Sequence, residues 1–287
     1  MSAPSPRAVE TQAPQRSMTP RSFLMCRPEF FTVSYSINPW MHPDQPTDTA
    51  LAVRQWESLR QAYLKLGHEV HLLEPVPGLV DMVFTANGCF THAGRAYIAE
   101  FAHAERTPEA EHFRRWLMDH GFEVHDPSSV NEGEGDFAVV GNVILAGTGY
   151  RSAPASHAEL ERVFGVEVIS LTLVDPRFYH LDVALTVLDS ASTGPDARIA
   201  YLPEAFDERS RAVLADRFPG SIQVSESEAE LLALNSVSDG RNVLVAAGAV
   251  EYIAQLRRHG YRPVPLDLSE LLKSGGGIKC CTQELRR

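Results

Sequence analysis

The stretch Gly165-Val-Glu-Val168 recurs in similar form at four other places in this chain of 287 residues. The other instances are Gly67-His-Glu-Val70, Gly121-Phe-Glu-Val124, Gly220-Ser-Ile-Gln-Val224 and Gly260-Tyr-Arg-Pro-Val264. The five glycines lie 40 to 55 residues apart, close to the spacing of repeat arrays and propellers. A helix-like stretch precedes each glycine, so the chain repeats helix, glycine and short strand.

A glycine at this point indicates the end of a helix, because glycine readily adopts the left-handed conformation that stops one. Before Gly67, apolar residues recur at helical spacing and give one apolar face. The residues of that face are Ala52, Trp56, Leu59, Tyr63 and Leu66. Asp48 can cap the start of this helix.

Strand-like runs lie between the helices. They cover Phe31 to Ile37, Ala96 to Phe101, Val143 to Ala146, Ala200 to Leu202 and Asn242 to Ala246. A doubly wound α/β sheet in two domains would also alternate helices and strands, but the sequence has no glycine-rich phosphate-binding loop. We therefore predict a five-bladed α/β propeller of ββαβ-like repeats around a pseudo-fivefold axis.

Composition limits the class of protein. Residues 1–20 are rich in Pro, Ser and Ala, which predicts a disordered tail before a single catalytic propeller domain over residues 21–287. No run of 18 apolar residues occurs, so we expect no membrane partner. The formal net charge of −11 argues against nucleic acid as a partner and favours a cationic small substrate.

The four cysteines are Cys26, Cys89, Cys280 and Cys281. They form no CxxC pair and no cluster with zinc spacing, and adjacent cysteines rarely form a relaxed disulfide. We therefore expect reduced thiols, a cytoplasmic location, and neither metal nor cofactor. Oligomeric state is left open, a homo-oligomer included.

Polar residues of chemical interest follow the repeat glycines at a similar distance of 11 to 20 residues. They are Asp81, Glu132, His180, Asn235 and Cys280. In a ring of equivalent units, residues at one phase converge on the axis, so we expect one site built from several blades.

Two of these motifs can carry catalysis. The run Gly275-Gly-Gly-Ile-Lys-Cys280 can present a thiolate beside a cation that lowers the pKa of the thiol. The alternative is a frayed C-terminal tail with two ordinary cysteines. In His180-Leu-Asp182, strand alternation would place the imidazole and the carboxylate on one face. The histidine could then transfer protons and the carboxylate hold a cation, although a lone histidine is more often structural.

Two further motifs are acidic. Glu132-Gly-Glu-Gly-Asp136 has the composition of a solvated turn, but one of its carboxylates could orient His180. Asp81-Met-Val-Phe-Thr-Ala-Asn87 alternates like the end of a strand, and Asp81 could equally be a turn residue.

With these motifs in this order, and with Asn38-Pro-Trp-Met41 before them, the chain from about Met25 onward resembles the guanidino-group modifying superfamily. That superfamily comprises dimethylarginine dimethylaminohydrolases, arginine deiminases, arginine dihydrolases and amidinotransferases. The resemblance implies its fold, the five-bladed propeller called a pentein, and hydrolysis of the guanidinium group of arginine or a methylated arginine by a cysteine nucleophile.

The resemblance also implies residue roles. Cys280 is similar to the family nucleophile, His180 to its general acid and base, and Glu132 to the carboxylate that orients the histidine, with Glu134 left as an alternative. The residues similar to those that bind substrate are Asp81, Asp182, Arg151, Asn38 and Asn87. Asn38 and Asn87 resemble the arginine dihydrolase branch, and the doublet Cys280-Cys281 resembles the dimethylaminohydrolases.

Three other functions remain open from the sequence. An amidinotransferase would resolve the covalent intermediate with an amine instead of water. A non-catalytic binding propeller would not need Cys280, His180 and Glu132 together. A cysteine peptidase would need an extended cleft, whereas convergence of repeats predicts a closed axial pocket.

Overall fold

The computed structural model describes residues 16–190 and 198–287, and its strands form five separate three-stranded sheets. The strands are β1 (Ser22–Cys26), β2 (Glu69–Leu73), β3 (Cys89–His92), β4 (Arg95–Ile98), β5 (Glu123–His125), β6 (Phe137–Val140), β7 (Val143–Thr148), β8 (Glu167–Thr172), β9 (Leu185–Asp189), β10 (Arg198–Tyr201), β11 (Ile222–Gln223), β12 (Val237–Ser238), β13 (Asn242–Ala246), β14 (Arg262–Leu266) and β15 (Gln283–Glu284).

The helices of the described residues are of two kinds, long ones that belong to the sheets and single-turn ones in loops. The long helices are α1 (Thr49–Lys65), α2 (Glu109–Asp119), α3 (Pro154–Phe164), α5 (Glu208–Arg217) and α7 (Val250–Arg258). The single-turn helices are α4 (Leu181–Ala184), α6 (Glu226–Ala229) and α8 (Ser269–Leu272).

All five sheets share one topology. The first strand is antiparallel to the second, and the third strand is parallel to the second. Each long helix connects a second strand to a third strand, as a parallel crossover requires. The predicted ββαβ repeat is confirmed, and we call each sheet with its helix a blade.

One blade combines the first and the last strand of the described residues. The order of strands there is β15-β1-β2, so the C-terminal strand takes the first-strand position beside the N-terminal strand. Phe23 pairs with Glu284 and Leu24 with Gln283, and the Leu285 N–H donates to the Ser22 carbonyl at 2.8 Å. The C-terminus is therefore part of the sheet structure and not a frayed tail.

The five first strands surround one axis. A cavity of about 900 Å³ on that axis is lined by residues from every first strand. One such residue from each is His92, Val139, Val187, Val237 and Glu284. This arrangement confirms the five-bladed α/β propeller.

The structure confirms the predicted cap of α1 and contradicts the predicted strand that precedes this helix. The Asp48 carboxylate caps α1 by accepting from the Leu51 N–H at 2.9 Å, as expected. The predicted strand from Phe31 to Ile37 is wrong, because the segment is irregular. Its alternating apolar residues Phe31 and Val33 are buried in the main core from a loop, which explains the misleading pattern.

The packed chain includes part of the expected N-terminal tail. The Arg16 guanidinium lies over the Tyr261 ring, 3.6 Å from its centroid, and the Thr19 N–H donates to the Asp239 carbonyl at 2.9 Å. Residues 16–20 therefore pack on the blade of β12, β13 and β14, whereas the remainder of the expected tail, residues 1–15, lies outside the described residues. Within the described part of the chain, no helix is long and apolar enough to cross a membrane.

The repeat glycines make a testable contribution to stability. Gly165 ends α3 with a φ of 70°, and an added Cβ would meet nothing within 4 Å. Gly165→Ala should therefore lower the free energy of unfolding by about 1 kcal/mol through left-handed backbone strain alone, measured by urea denaturation.

A matched control is Gly248→Ala, since Gly248 does not have a left-handed φ and its added Cβ would have only an ordinary contact with Leu231 at 3.6 Å. This variant should unfold at the wild-type urea concentration or slightly above it. Equal destabilisation of the two variants would show that backbone strain at Gly165 is not the cause.

Candidate active site

The polar motifs found in the sequence lie in the loops that lead into the first strands. Loops before β3, β6, β9 and β15 carry, respectively, Asp81 with Asn87, Glu132, His180 with Asp182, and Cys280. These loops contact one another at one end of the axis, where all seven of Asp81, Asn87, Glu132, Arg151, His180, Asp182 and Cys280 are at most 5% exposed. The structure thus brings residues from separate blades into one buried site.

Cys280 follows a tight glycine turn after α8. An added Cβ on Gly276 would lie 2.1 Å from the Phe84 ring, and one on Gly277 would lie 3.0 Å from Asn235 Oδ1. The glycines therefore allow the turn to pack closely against Phe84 and Asn235.

The sulfur of Cys280 faces a carboxylate. Its Sγ lies 3.3 Å from Asp182 Oδ2 and 3.0 Å from Asn235 Nδ2. Burial and the charge of Asp182 raise the pKa of the thiol well above its ordinary value. Without a ligand, Cys280 is therefore a protonated thiol that donates to Asp182.

Lys279 does not supply the cation that the sequence suggested. Its ammonium group donates to Glu134 Oε2 at 2.9 Å and to the Thr282 carbonyl at 3.0 Å. The lysine charge is thus bound to Glu134, and no hydrogen bond joins it to the sulfur of Cys280.

His180 and Glu132 form a buried pair. His180 Nε2 lies 2.8 Å from Glu132 Oε2, and His180 Nδ1 has no hydrogen-bond partner among the described residues. Because the carboxylate accepts from Nε2, the neutral ring presents Nδ1 as its basic nitrogen. The ring can therefore take up or release a proton at Nδ1.

Cations hold Glu132 in its charged form. Arg151 Nη1 lies 3.0 Å from Glu132 Oε2, and Arg106 Nη1 lies 4.0 Å from the same oxygen. Burial alone would raise the pKa of Glu132, but the Arg151 charge and the His180 hydrogen bond outweigh it and hold this pKa below its ordinary range. Glu132 can therefore fix the imidazole and stabilise its protonated form.

Glu134 lies in a different environment from Glu132. Its carboxylate pairs with Lys279 and Arg286 and accepts from the Glu284 N–H at 2.9 Å. It therefore binds the C-terminal segment to the blade of β6, and it makes no hydrogen bond to His180.

Asp136, the last acid of this motif, has a structural contact with the histidine segment. It accepts from the Leu181 N–H at 3.1 Å and from the Ser152 hydroxyl at 2.7 Å. Burial raises its pKa to about 6. Asp136 thereby fixes the backbone next to His180.

Two carboxylates offer oxygens to a ligand. Asp182 Oδ1 is buried without a hydrogen-bond partner among the described residues, and burial raises the pKa of this carboxyl to about 7. Asp81 accepts from the Tyr35 hydroxyl at 2.6 Å and the Ser274 hydroxyl at 3.2 Å. A cation with several N–H groups would satisfy both carboxylates.

Asn87 has a fixed orientation. Its Oδ1 accepts from Arg106 Nη1 at 2.7 Å, while its Nδ2 is buried without a partner among the described residues. An added Cβ on Gly135 would lie 2.4 Å from this Nδ2 and 3.3 Å from the His180 ring. The amide therefore presents N–H donors on the side where His180 lies.

Arg151 contacts the loop before α1, and Asn38 lies in that loop. Arg151 Nη2 donates to the Ile37 carbonyl at 2.9 Å, in addition to its bond with Glu132. Asn38 Nδ2 donates to the Ser274 carbonyl at 3.1 Å. Hydrogen bonds therefore join residues 37 and 38 to Arg151 and to the segment that precedes Cys280.

Two local predictions about the motifs are wrong. His180 and Asp182 do not lie on a strand, because His180 is the N-cap of α4 and Asp182 is in its first turn. The segment from Asp81 to Asn87 forms turns and a short 3-10 helix, Thr85–Asn87, so the strand end is wrong and the alternative of Asp81 as a turn residue is confirmed. Tight turns allow both segments to point several polar groups into one site, which a two-residue alternation does not.

Arg106 and Tyr35 also belong to the site, although no sequence motif indicated them. Arg106 is buried and donates to both oxygens of Glu109 at 3.1 and 2.8 Å as well as to Asn87. The spacing of Arg106 and Glu109 is that of an ordinary surface ion pair, so only burial distinguishes it. Within the described residues, no three or more His, Cys, Asp or Glu side chains lie together in a way that could hold a metal ion.

Comparison with protein families gives a match over most of the chain. The model of the family "N,N dimethylarginine dimethylhydrolase, eukaryotic" matches residues 34–287. The N(G),N(G)-dimethylarginine dimethylaminohydrolase of Mycobacterium tuberculosis is 47% identical over 94% of this chain and 88% of its own length. The bifunctional arginine dihydrolase/ornithine cyclodeaminase ArgZ of Synechocystis is 35% identical over 90% of this chain but only 37% of its own length.

Solved structures agree with these matches. A substrate-bound mutant of the N-terminal domain of ArgZ, an arginine dihydrolase, has a TM-score of 0.88 and 33% identity, covering 93% of this chain and 98% of that domain. A dimethylarginine dimethylaminohydrolase adduct has a TM-score of 0.74 at 19% identity, covering 93% of this chain and all of that chain, a likeness of fold alone.

The separate environments of Glu132 and Glu134 lead to a stability prediction. Glu134→Gln removes the carboxylate that faces Lys279 and Arg286, whose side chains are 19% exposed. We expect a loss of roughly 2–3 kcal/mol in the free energy of unfolding, since partly buried cations lose their partner, measured by urea denaturation.

Glu57→Gln is the matched control, because Glu57 pairs with Arg60 at 2.9 Å with 43% of its side chain exposed. Such surface pairs stabilise weakly, so this variant should unfold within about 0.5 kcal/mol of wild type. If Glu134→Gln is as stable as Glu57→Gln, the structural role of Glu134 is wrong.

Proposed function

Because the chain belongs to the N,N-dimethylarginine dimethylhydrolase family and is a hydrolase of guanidino groups, we propose that its substrate is an arginine dimethylated on one guanidino nitrogen. The products are dimethylamine and citrulline. The 47% identity to a dimethylarginine dimethylaminohydrolase over nearly the whole chain supports this choice of substrate.

The observation that carries the proposal is the buried cluster of Cys280, His180, Glu132 and Asp182. It combines a thiol, an imidazole with a free basic nitrogen, and carboxylates in one closed site. A guanidinium is a planar cation that stays charged at neutral pH, and carboxylates bind its N–H groups. The cluster therefore fits a guanidino substrate held by Asp81 and Asp182.

Substrate binding activates the nucleophile in this mechanism. In the free site, the Asp182 charge and burial keep Cys280 protonated. A bound guanidinium neutralises Asp182 and places a positive charge beside the sulfur, so the pKa of the thiol falls. The thiol proton passes to His180 Nδ1, and the ion pair of Glu132 with the imidazolium stabilises the product of this transfer.

The chemistry then proceeds through a covalent intermediate. The Cys280 thiolate bonds to the guanidino carbon, and His180 gives its proton to dimethylamine as the C–N bond breaks. A water molecule next attacks the thiouronium carbon while His180 accepts its proton. The C–S bond breaks, citrulline forms, and the proton returns to Cys280.

A product assay tests this function. The protein incubated with asymmetric dimethylarginine should release dimethylamine and citrulline in equal amounts, measured by mass spectrometry. Cys280→Ser should slow this release by roughly 10³-fold or more, because a serine hydroxyl ionises far less than a thiol.

Cys281→Ser is the control, since it changes the same chemical group one residue away and should keep most of the activity. Activity in Cys280→Ser with none in Cys281→Ser would reverse the assignment of the nucleophile. No turnover of dimethylarginine by the wild type would reject this substrate.

A second candidate function, arginine dihydrolysis, is favoured by the orientation of Asn87. Arg106 occupies Asn87 Oδ1, so the free Nδ2 can only donate. A donor suits the ureido oxygen of citrulline, which an aspartate at this position would repel. The site could therefore retain citrulline made from arginine and hydrolyse it again, giving ornithine, carbon dioxide and two ammonia.

Product analysis with arginine tests this candidate. Wild type should yield ornithine with two ammonia per arginine, and Asn87→Asp should shift the product towards citrulline by several-fold, measured by chromatography of the amino acids. Stoichiometric citrulline from arginine, or arginine that is inert while dimethylarginine reacts, would reject the dihydrolase function and leave the dimethylarginine proposal intact.

A further inference from the structure

We propose that Asn235 is a further catalytic residue, whose side-chain amide stabilises the Cys280 sulfur as a thiolate. Asn235 Nδ2 lies 3.0 Å from Cys280 Sγ. Within the described residues, no other side chain donates a hydrogen bond to this sulfur. The inference rests on the proposed role of Cys280 as nucleophile.

The orientation of the Asn235 amide is fixed by its other contacts. Its Oδ1 accepts from the Cys280 N–H at 3.1 Å, and its Nδ2 also donates to the Asp182 carbonyl at 3.1 Å. Rotating the amide by half a turn would set oxygen against the Asp182 carbonyl and nitrogen against the Cys280 N–H. The NH₂ group must therefore face the sulfur.

The fold is built to hold Asn235 at this place. Asn235 comes just before β12, the first strand of its blade, as the other site residues come before theirs. Leu232, three residues earlier, has a φ of 54°, a rare conformation for a residue other than glycine. Gly277 leaves room for the amide, since an added Cβ would lie 3.0 Å from Asn235 Oδ1. Such local strain tends to occur at functional sites.

The surroundings of the sulfur explain why a donor is needed there. Burial and Asp182 both oppose ionisation of Cys280, and Lys279 is bound to Glu134 instead of the sulfur. The Gly277 backbone favours the thiolate, but its effect is smaller than those of burial and Asp182. A hydrogen bond from Asn235 Nδ2 strengthens as negative charge develops on sulfur.

The same donor acts at two steps of the proposed reaction. It stabilises the thiolate that attacks the guanidino carbon. It also stabilises the thiolate that leaves when water breaks the C–S bond. Asn235 thus assists both steps from the sulfur side, whereas His180 moves the protons.

Alkylation of Cys280 tests the inference without any substrate. Iodoacetamide reacts with the thiolate, so below the pKa of the thiol its rate follows the thiolate fraction. At mildly alkaline pH, Asn235→Ala should be alkylated at Cys280 roughly tenfold more slowly than wild type. The rate is measured by mass spectrometry of the Cys280 peptide, in a Cys281→Ser background.

Asn235→Asp separates donation from packing. This variant keeps the shape of the side chain and the acceptor for the Cys280 N–H, but it replaces the donor with a negative oxygen. Asn235→Asp should therefore be alkylated more slowly than Asn235→Ala. A purely structural role predicts the opposite order of these two variants. If the space left by Asn235→Ala only eased the access of iodoacetamide, that variant would be alkylated faster than wild type.

Asn242→Ala is the matched control, because Asn242 is another buried asparagine of the same blade, and its amide bonds to Asp239 at 2.7 Å. It should lose stability and keep the wild-type alkylation rate. With a guanidino substrate, kcat should fall in the order wild type, Asn235→Ala, Asn235→Asp, with KM little changed.

Two results would overturn the inference: an Asn235→Ala variant alkylated as fast as wild type, or an Asn235→Asp variant faster than Asn235→Ala. A wild type that turns over no guanidino compound would instead reject the proposed function. The alkylation rates would still decide the role of Asn235, because they need no substrate.

Discussion

The pairing of β15 with β1 is the contact on which both the ring and the site depend. It completes the fifth sheet by joining the first and last strands of the described residues, and β15 directly follows the turn that carries Cys280. Through this closure, Cys280 meets Asp182, 98 residues earlier, and Asn235, 45 residues earlier. Glu134 strengthens the closure by holding Lys279, Arg286 and the Glu284 N–H. The geometry of the nucleophile is therefore a property of the whole ring.

Charge gives the closed site its selectivity in the proposed mechanism. Asp182 faces the thiol, and burial raises the pKa of its carboxyl to about 7, so its negative charge is costly without a cation. Glu132 is different, because Arg151 and His180 already stabilise its charge. A guanidinium that reaches Asp182 relieves this cost and favours the Cys280 thiolate at the same time. A neutral compound provides neither effect, so the first attack in the proposed mechanism favours a cationic substrate.

The sequence allowed the fold and the main motifs to be predicted, because glycine-ended helices and short strands are local signals. It failed where the outcome depends on tertiary contact. His180 and Asp182 lie at the start of a helix and not on a strand. The segment from Phe31 to Ile37 is a loop and not a strand. Arg106 went unnoticed, since burial and not spacing distinguishes it. Asn235 was found by its position in the repeat, but its contact with Cys280 arises only when the ring closes.

In the proposed mechanism Cys280 forms a covalent bond to the guanidino carbon, and this adduct can be trapped. The Cys281→Ser variant would be mixed with substrate, quenched in acid within the first turnovers, and digested for mass spectrometry. The Cys280 peptide should gain the mass of the substrate minus its leaving amine, and the adduct should decay as product forms. Turnover with no adduct on Cys280, or with the adduct on another residue, would contradict the proposed mechanism.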